Sequence, residues 1–159
     1  MTTAPLRRPA LLAALVSLAL PASAMALPAS DAPVAGAAKT GITIKASSSR
    51  FGTILTDGAG RTLYLFTADR GKTSRCYGSC AKAWPVAYAK GTPRAGAGAR
   101  ASLLGRTKRR DGRYQVTYRG RPLYYYVGEP AGQVLCQNVN EFGGLWLVVR
   151  PDGTAVRGG

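Results

Sequence analysis

Gly60-Arg61-Thr62-Leu63-Tyr64-Leu65-Phe66-Thr67-Ala68-Asp69 returns as Gly120-Arg121-Pro122-Leu123-Tyr124-Tyr125-Tyr126-Val127-Gly128-Glu129, at a constant offset of 60 residues. The register extends outward: Gly52 matches Gly112, Cys76 matches Cys136, and Trp84 and Trp146 close the two copies, the second carrying two extra residues. A repeat this regular describes two copies of one supersecondary unit, neither of which buries its apolar face alone. The composition of each copy sets its type. Phe51-Gly52-Thr53-Ile54-Leu55-Thr56 and Thr62-Leu63-Tyr64-Leu65-Phe66-Thr67 flank Asp57-Gly58-Ala59-Gly60, which is turn chemistry between β-rich runs and predicts a hairpin.

In the second copy, Arg113-Tyr114-Gln115-Val116-Thr117-Tyr118 alternates, placing Tyr114, Val116 and Tyr118 on one predicted face and Arg113, Gln115 and Thr117 on the other. Arg119-Gly120 turns the chain into a run from Pro122 to Val127. A last hairpin, Leu145 to Val149 with Thr154 to Val156, turns on Pro151-Asp152-Gly153. Helical signal is confined to a turn from Cys80 to Trp84, capped by Ser79 and stopped by Pro85, and another over Ala101 to Leu104. The expected fold is mostly β: two tandem β-hairpin repeats, about residues 50–90 and 110–150, sharing one core, with one or two short helical turns. Residues 91–98, rich in Gly and Ala, read as the connector.

The N-terminus carries a different signal. Arg7-Arg8 precedes an apolar run over residues 11–20 that leads to small-residue cleavage candidates ending at Ala24 or Ala26. This is the pattern of a secretory signal peptide over residues 1–26. Residues 27–40, rich in Ala, Pro and Ser, read as a disordered leader, and residues 41–159 as a single domain. The apolar run falls short of the roughly 20 residues a membrane span needs, so no integral span is expected in the exported chain. No cysteine near the cleavage point offers a lipid anchor.

Charge narrows the partners. The chain carries 22 Lys and Arg against 7 Asp and Glu, a net +15, and every acid lies beyond residue 30. Basic residues crowd between Arg94 and Arg121, where Asp111 is the only acid; Arg106, Lys108, Arg109, Arg110 and Arg113 form the densest part. Such a stripe attracts polyanions with a salt-dependent pull. For an exported chain these are anionic envelope polymers, phospholipid surfaces and, without sequence specificity, nucleic acid. The opposing reading is a solvated, solubilising face.

Catalytic constellations are largely excluded by composition. With no histidine, the chain has no Ser-His-Asp or Cys-His nucleophile pair and no imidazole metal site. It has no phosphate loop and no dinucleotide fingerprint, so no cofactor is expected. Asp69 and Glu129, equivalent by the repeat, are the acids worth pairing: across a pseudo-twofold they would meet and hold a small ligand or a cation, or else each orders its own turn. Tyr64, Phe66, Tyr124 and Tyr126 are either core packing partners or an aromatic shelf for a flat ligand. In an oxidising compartment two of Cys76, Cys80 and Cys136 should bond, either locally or between copies, and the remaining thiol is then buried, intermolecular or redox-active.

Three segments resemble one family in order. Tyr64-Leu65-Phe66-Thr67-Ala68-Asp69 is similar to the Yx(F/W/Y)xxD signature of predicted secreted lipoproteins, a secreted repeat of unknown function. Cys76-Tyr77-Gly78-Ser79-Cys80-Ala81-Lys82-Ala83-Trp84-Pro85 resembles its CxGxCAxxWP segment, and Asn140-Glu141-Phe142-Gly143-Gly144-Leu145-Trp146 its closing NEFGGxW. The resemblance implies a Cys76 to Cys80 bridge, with Cys136 as the alternative partner, and implies no activity. It is broken where Glu129 replaces the signature aspartate, where Asn140 stands opposite Cys80, and where the lipid-anchoring cysteine is missing. The functional expectation is an exported envelope or extracellular binding module, against a thiol-disulfide redox protein or a ligand-binding domain at the repeat interface.

Overall fold

Alternation decides how the central strands are buried. The computed structural model describes Met1 and residues 40–158; the expected signal peptide, its cleavage point and nearly all of the leader lie outside the described residues. In chain order the strands are β1 (Thr40–Ser49), β2 (Gly52–Asp57), β3 (Tyr64–Phe66), β4 (Thr92–Ala95), β5 (Leu104–Lys108), β6 (Tyr114–Tyr118), β7 (Arg121–Pro122), β8 (Val139–Glu141) and β9 (Gly144–Val148). One short helix, α1 (Ser79–Ala83), and one 3-10 turn (Ala101–Leu103) complete the set. They form three small three-stranded sheets, ordered β2-β1-β4, β3-β9-β8 and β5-β6-β7.

Along β3 and the segment before it, Leu63 and Leu65 enter one apolar layer with Leu123, Tyr125, Leu147 and Val149. Tyr64 and Phe66 enter a second with Tyr124, Trp84, Trp146 and Val148. Period-2 side-chain alternation produces this sorting, and strands covered on both faces read as continuous apolar runs. The shared core is therefore layered, and both copies supply both layers. The sheets are joined where the copies meet: Tyr64 and Tyr124, equivalent in the repeat, exchange both backbone hydrogen bonds at 2.9 Å.

The first expected hairpin forms differently from its prediction. After the Asp57 to Gly60 turn, pairing lasts only through Thr56 with Thr62, and Leu63 N–H reaches Leu55 C=O at 3.1 Å. Then β3 leaves to pair antiparallel with β9, while β2 pairs with β1. Strand β1 had no predicted counterpart, although Ile42 and Ile44 alternate with Thr43 and Lys45; its partner β4, parallel to it, occupies the predicted connector. The run after Gly120 is strand only at β7, followed by single bridges from Tyr124 to Tyr64 and Val86. In β6 the polar face is buried too: Gln115 and Thr117 are as enclosed as Val116, and it is Tyr114 that is exposed. Gln115 tolerates this because its amide donates to Leu123 C=O at 2.8 Å and accepts from Arg109 at 2.7 Å.

Copy two departs from copy one after its cysteine. Copy one builds α1, which is too short to stand alone; its cap is Gly78 at φ 56°, not Ser79. Copy two builds the β8-β9 hairpin through Phe142 and Gly143, both at positive φ, as a two-residue primed turn requires. Gly144 follows because a Cβ there would sit 2.8 Å from the Phe66 ring and 2.9 Å from the Ala68 nitrogen.

Candidate functional site

The signature residues meet at the joint between the copies, and their partners are crossed. Tyr64 of the first copy donates its hydroxyl to Glu129 of the second at 2.6 Å, and Tyr124 of the second donates to Asp69 of the first at 2.8 Å. Each acid also accepts a backbone N–H from the residue before the repeat's cysteine: Arg75 for Asp69, at 2.8 Å, and Leu135 for Glu129. Each acid thus ties its own turn to the opposite copy's strand. Asp69 accepts from Arg75 and Tyr124, and Glu129 from Leu135 and Tyr64, so the two acids share no hydrogen-bond partner. Among the described residues no cluster of three or more His, Cys, Asp or Glu side chains is placed to hold a metal.

Burial dominates the electrostatics of this joint. It pushes the Tyr64 phenol well above its ordinary value, reinforced by the Glu129 carboxylate. Burial beside Asp69 does the same to Tyr124. Asp69 is also raised by burial, although the Arg75 N–H, the Tyr124 hydroxyl and the charges of Arg121 and Arg109 pull the other way.

Beneath the crossed pairs lies a column of rings. Trp84 and Trp146 stack in parallel at 4.0 Å, Phe66 stacks on the far face of the pair against Trp146 at 4.1 Å, and Tyr126 tilts against Trp84 at 5.0 Å. Tyr64 and Tyr124 meet Trp84 and Trp146 edge-on at 5.3 and 5.1 Å, geometries that aromatic pairs favour. Glu141 holds both indoles, its carboxylate accepting from Trp84 at 2.9 Å and its carbonyl from Trp146 at 3.3 Å. Tyr64, Phe66 and Tyr124 are packed away, and only Tyr126 is half-buried. The motif aromatics are core partners rather than an open shelf.

Cys76 and Cys80 are bonded to each other, their Cα atoms 5.2 Å apart. Cys136 is free and half-buried; desolvation and the Glu129 charge push its thiol up, away from the nucleophilic thiolate.

The basic stripe divides. Arg109 is buried: its guanidinium donates to the Ser74 hydroxyl at 2.6 Å, to Gln115 at 2.7 Å and to Cys76 C=O at 2.7 Å, so it is an internal strut and not part of a docking face. The surface reading of that residue is corrected by the physics of a forked donor that satisfies three buried acceptors. Arg106, Lys108, Arg110 and Arg113 are exposed. Three of them lie over tyrosine rings: Arg106 over Tyr114 at 4.6 Å, Arg110 over Tyr77 at 4.2 Å and Arg113 over Tyr88 at 4.1 Å. Between Tyr77 and Tyr88 runs an open groove of about 480 Å³, bordered by Lys82, Arg113 and Asp111. Slight desolvation opposes it, but hydrogen bonds from Arg113 and the charge of Arg109 hold the Asp111 carboxyl below its ordinary range. Tyr77 and Tyr88 were not singled out in the sequence; their signal is only their place beside Cys76 and after Pro85, with no periodicity to mark them.

No helix among the described residues is long and apolar enough to cross a membrane. Comparison with curated proteins and comparison with solved structures each give no match. A family model described as a secreted repeat of unknown function matches twice, over residues 45–88 and 105–150. These spans contain the two crossed tyrosines, both cysteine segments and both stacked tryptophans, and together they cover more than half of the sequence: the chain belongs to the family of secreted repeats of unknown function.

Proposed function

We propose that this secreted repeat protein is a binding module of the cell envelope, engaging an anionic surface polymer through Arg106, Lys108, Arg110 and Arg113 and the tyrosines beneath them. The observation that carries the reading is the row of guanidiniums stacked on Tyr114, Tyr77 and Tyr88 beside a groove. Contact with the rings holds each guanidinium in place, so less side-chain freedom is lost when an anion binds, although one Arg113 nitrogen is taken by Asp111. A polymer with regularly spaced anionic groups matches this surface: its charges meet the guanidiniums that cover Tyr77, Tyr88 and Tyr114. Asp111 orders the turn that presents the patch by accepting from Arg113 N–H at 3.1 Å and from its guanidinium at 2.9 Å.

The test is retention on isolated envelope polymer over a salt series, with the variant Arg106→Gln/Lys108→Gln/Arg110→Gln/Arg113→Gln alongside. Affinity should fall steeply with salt and by at least tenfold in the variant. Binding that is indifferent to salt and to the four substitutions removes the proposal. Vesicles and single-stranded nucleic acid serve as comparators; preference for either would reassign the partner.

A further inference from the structure

The repeat places Arg61 and Arg121 at equivalent positions, and the two arginines have different fates. Arg61 is neutralised inside its own copy: its Nε donates to Asp57 at 2.8 Å, a terminal nitrogen lies 2.7 Å from the same oxygen, and the guanidinium sits 4.0 Å over the Tyr125 ring. The shorter Arg119-Gly120 turn shifts the pairing by one, so Tyr118 stands opposite Arg121 where Asp57 stands opposite Arg61, and the position corresponding to Tyr125 in the first copy is Leu65. Arg121 therefore lacks both the carboxylate and the ring. One of its terminal nitrogens donates to Phe66 C=O at 2.9 Å, but its buried Nε has no partner, alone among the buried side-chain polar atoms of the described residues. Leaving such a donor unmade is costly, and natural structures seldom do so without reason.

Arg61 itself borders an open cleft of about 490 Å³ with Tyr125, so what sets the Arg121 side apart is the missing carboxylate. A cleft of about 390 Å³ opens beside Arg121, floored by Leu65, Leu147 and Ala155, with Arg119, Arg157 and Thr67 on its walls. No acid lines it. The carboxylates nearest its arginines are already engaged. Asp69, which faces Arg121, accepts from Arg75 and Tyr124. Asp152, which faces Arg119, accepts from the N–H and hydroxyl of Thr154 at 2.9 and 2.6 Å. Thr67 Oγ1 accepts from Leu145 N–H at 2.7 Å, so its own proton remains to be donated. Arg119 is fixed at the rim: Gly153 approaches so closely that a Cβ there would stand 2.5 Å from the Arg119 Cβ, and the guanidinium donates to Asp152 C=O at 3.2 Å.

We propose that this cleft is an anion site for a phosphate monoester, whose oxygens accept from the terminal nitrogen of Arg121 that Phe66 does not engage, with Arg119 and Arg157 neutralising the second charge. One carboxylate satisfies one guanidinium in the first copy. Three guanidiniums with a hydroxyl donor suit a tetrahedral dianion, which arginine grips through paired N–H groups. The apolar floor takes the organic part of the ester, and the volume falls within the range of small-ligand sites. The site lies at the far end of β6 from Tyr114, and it is independent of the tyrosine-backed patch.

The experiment is calorimetric titration of the mature chain with glycerol 3-phosphate and with inorganic phosphate, at fixed low salt, together with flotation on phosphatidylcholine vesicles with and without phosphatidic acid. Two variants close the site differently. Arg119→Gln/Arg157→Gln removes two exposed charges. Ala155→Asp places a carboxylate on the floor of the cleft itself. Each should weaken binding at least tenfold, whereas Lys72→Gln/Lys90→Gln, which removes two exposed charges outside both surfaces, should leave it unchanged. Saturable binding of glycerol 3-phosphate lost in Arg119→Gln/Arg157→Gln supports a soluble ester as ligand. Binding seen only on phosphatidic acid vesicles, and lost in the same variant, supports a lipid headgroup. Absence of binding to every probe, or affinity unaltered by Arg119→Gln/Arg157→Gln, overturns the proposal. Binding weakened equally by Lys72→Gln/Lys90→Gln overturns it as well, since it reports only bulk charge.

Discussion

The two copies solve one packing problem by different means. Each must deliver a tryptophan into the central stack from the segment after its repeat cysteine. Copy one does so with α1, which has no side-chain cap and is closed by the Cys76 to Cys80 bridge. Copy two does so with the β8-β9 hairpin, held by a strand ladder and a primed turn, and leaves Cys136 free. Gly78 and Asn138, equivalent by the repeat, both take positive φ, so the paths diverge only after that residue. The pairing of the stack tolerates either support; what is shared is the destination of Trp84 and Trp146. A five-residue helix needs covalent help, because nucleation consumes more entropy than so few hydrogen bonds return. A hairpin that docks on β3 does not.

The harshest test of that equivalence is removal of the destination itself. Trp84→Ala and Trp146→Ala should each cost about 3–5 kcal/mol in chemical unfolding, the range for deleting a large buried aromatic. A large difference between them would show that the stack is carried by one copy. Next, the double replacement Cys76→Ser/Cys80→Ser should cost about 2 kcal/mol, the chain-entropy value for so short a loop. Amide exchange should then show α1 opening while β8 and β9 stay protected; equal loss of protection in both would refute independent support.

A finer comparison concerns the crossed pairs. Tyr124→Phe strands the buried Asp69 and also removes a 2.7 Å bond to Ser74, so it should cost about 2 kcal/mol. Tyr64→Phe leaves Glu129 in a more exposed position and should cost about 1 kcal/mol. The reverse order would show that the Glu129 side of the joint is the tighter one. Smallest near neutrality is the effect of pH. Tyr64, Tyr124 and Tyr125 hold their protons in the fold above the ordinary phenol value near 10. The folded chain then binds more protons than the unfolded one at alkaline pH, so this contribution to stability is complete below about pH 10 and is lost as pH rises further. Phenolate absorbance should show these three phenols titrating only as the protein unfolds. Their early titration would place the crossed pairs in water.

The repeat register made the fold class legible, because Leu63, Leu65 and Leu123 alternate with Tyr64, Phe66 and Tyr124 and so announce strands covered on both sides. The pairing partners were less legible. A strand of three residues such as β3 carries no local preference for β9 over β2, and only the layered core decides between them. Strand β4 was hidden because Thr92-Pro93-Arg94-Ala95 has no apolar alternation and is positioned by the close approach of Gly41 to Thr92. At the site, the equivalence of Asp69 and Glu129 could be read, but their crossing could not, since it depends on the antiparallel approach of the two tyrosine strands. Arg109 looked like its neighbours in the stripe. Its burial depends on Ser74 and Gln115, two polar residues on different copies that no linear pattern connects.

The crossed hydrogen bonds make each copy self-complementary and incomplete. One copy alone carries a tyrosine hydroxyl that needs the carboxylate of another copy, and a carboxylate that needs the other's hydroxyl. Two free copies would therefore build the same joint as a symmetric dimer. Fusing them converts assembly from a bimolecular equilibrium into an intramolecular one, at an effective concentration that does not fall when the surroundings are dilute. For a secreted protein, covalent duplication is what lets the joint survive dilution. It also frees the two halves to diverge, so that an arginine paired with a carboxylate at Arg61 and one without such a partner at Arg121 can exist in one molecule, which no symmetric dimer permits.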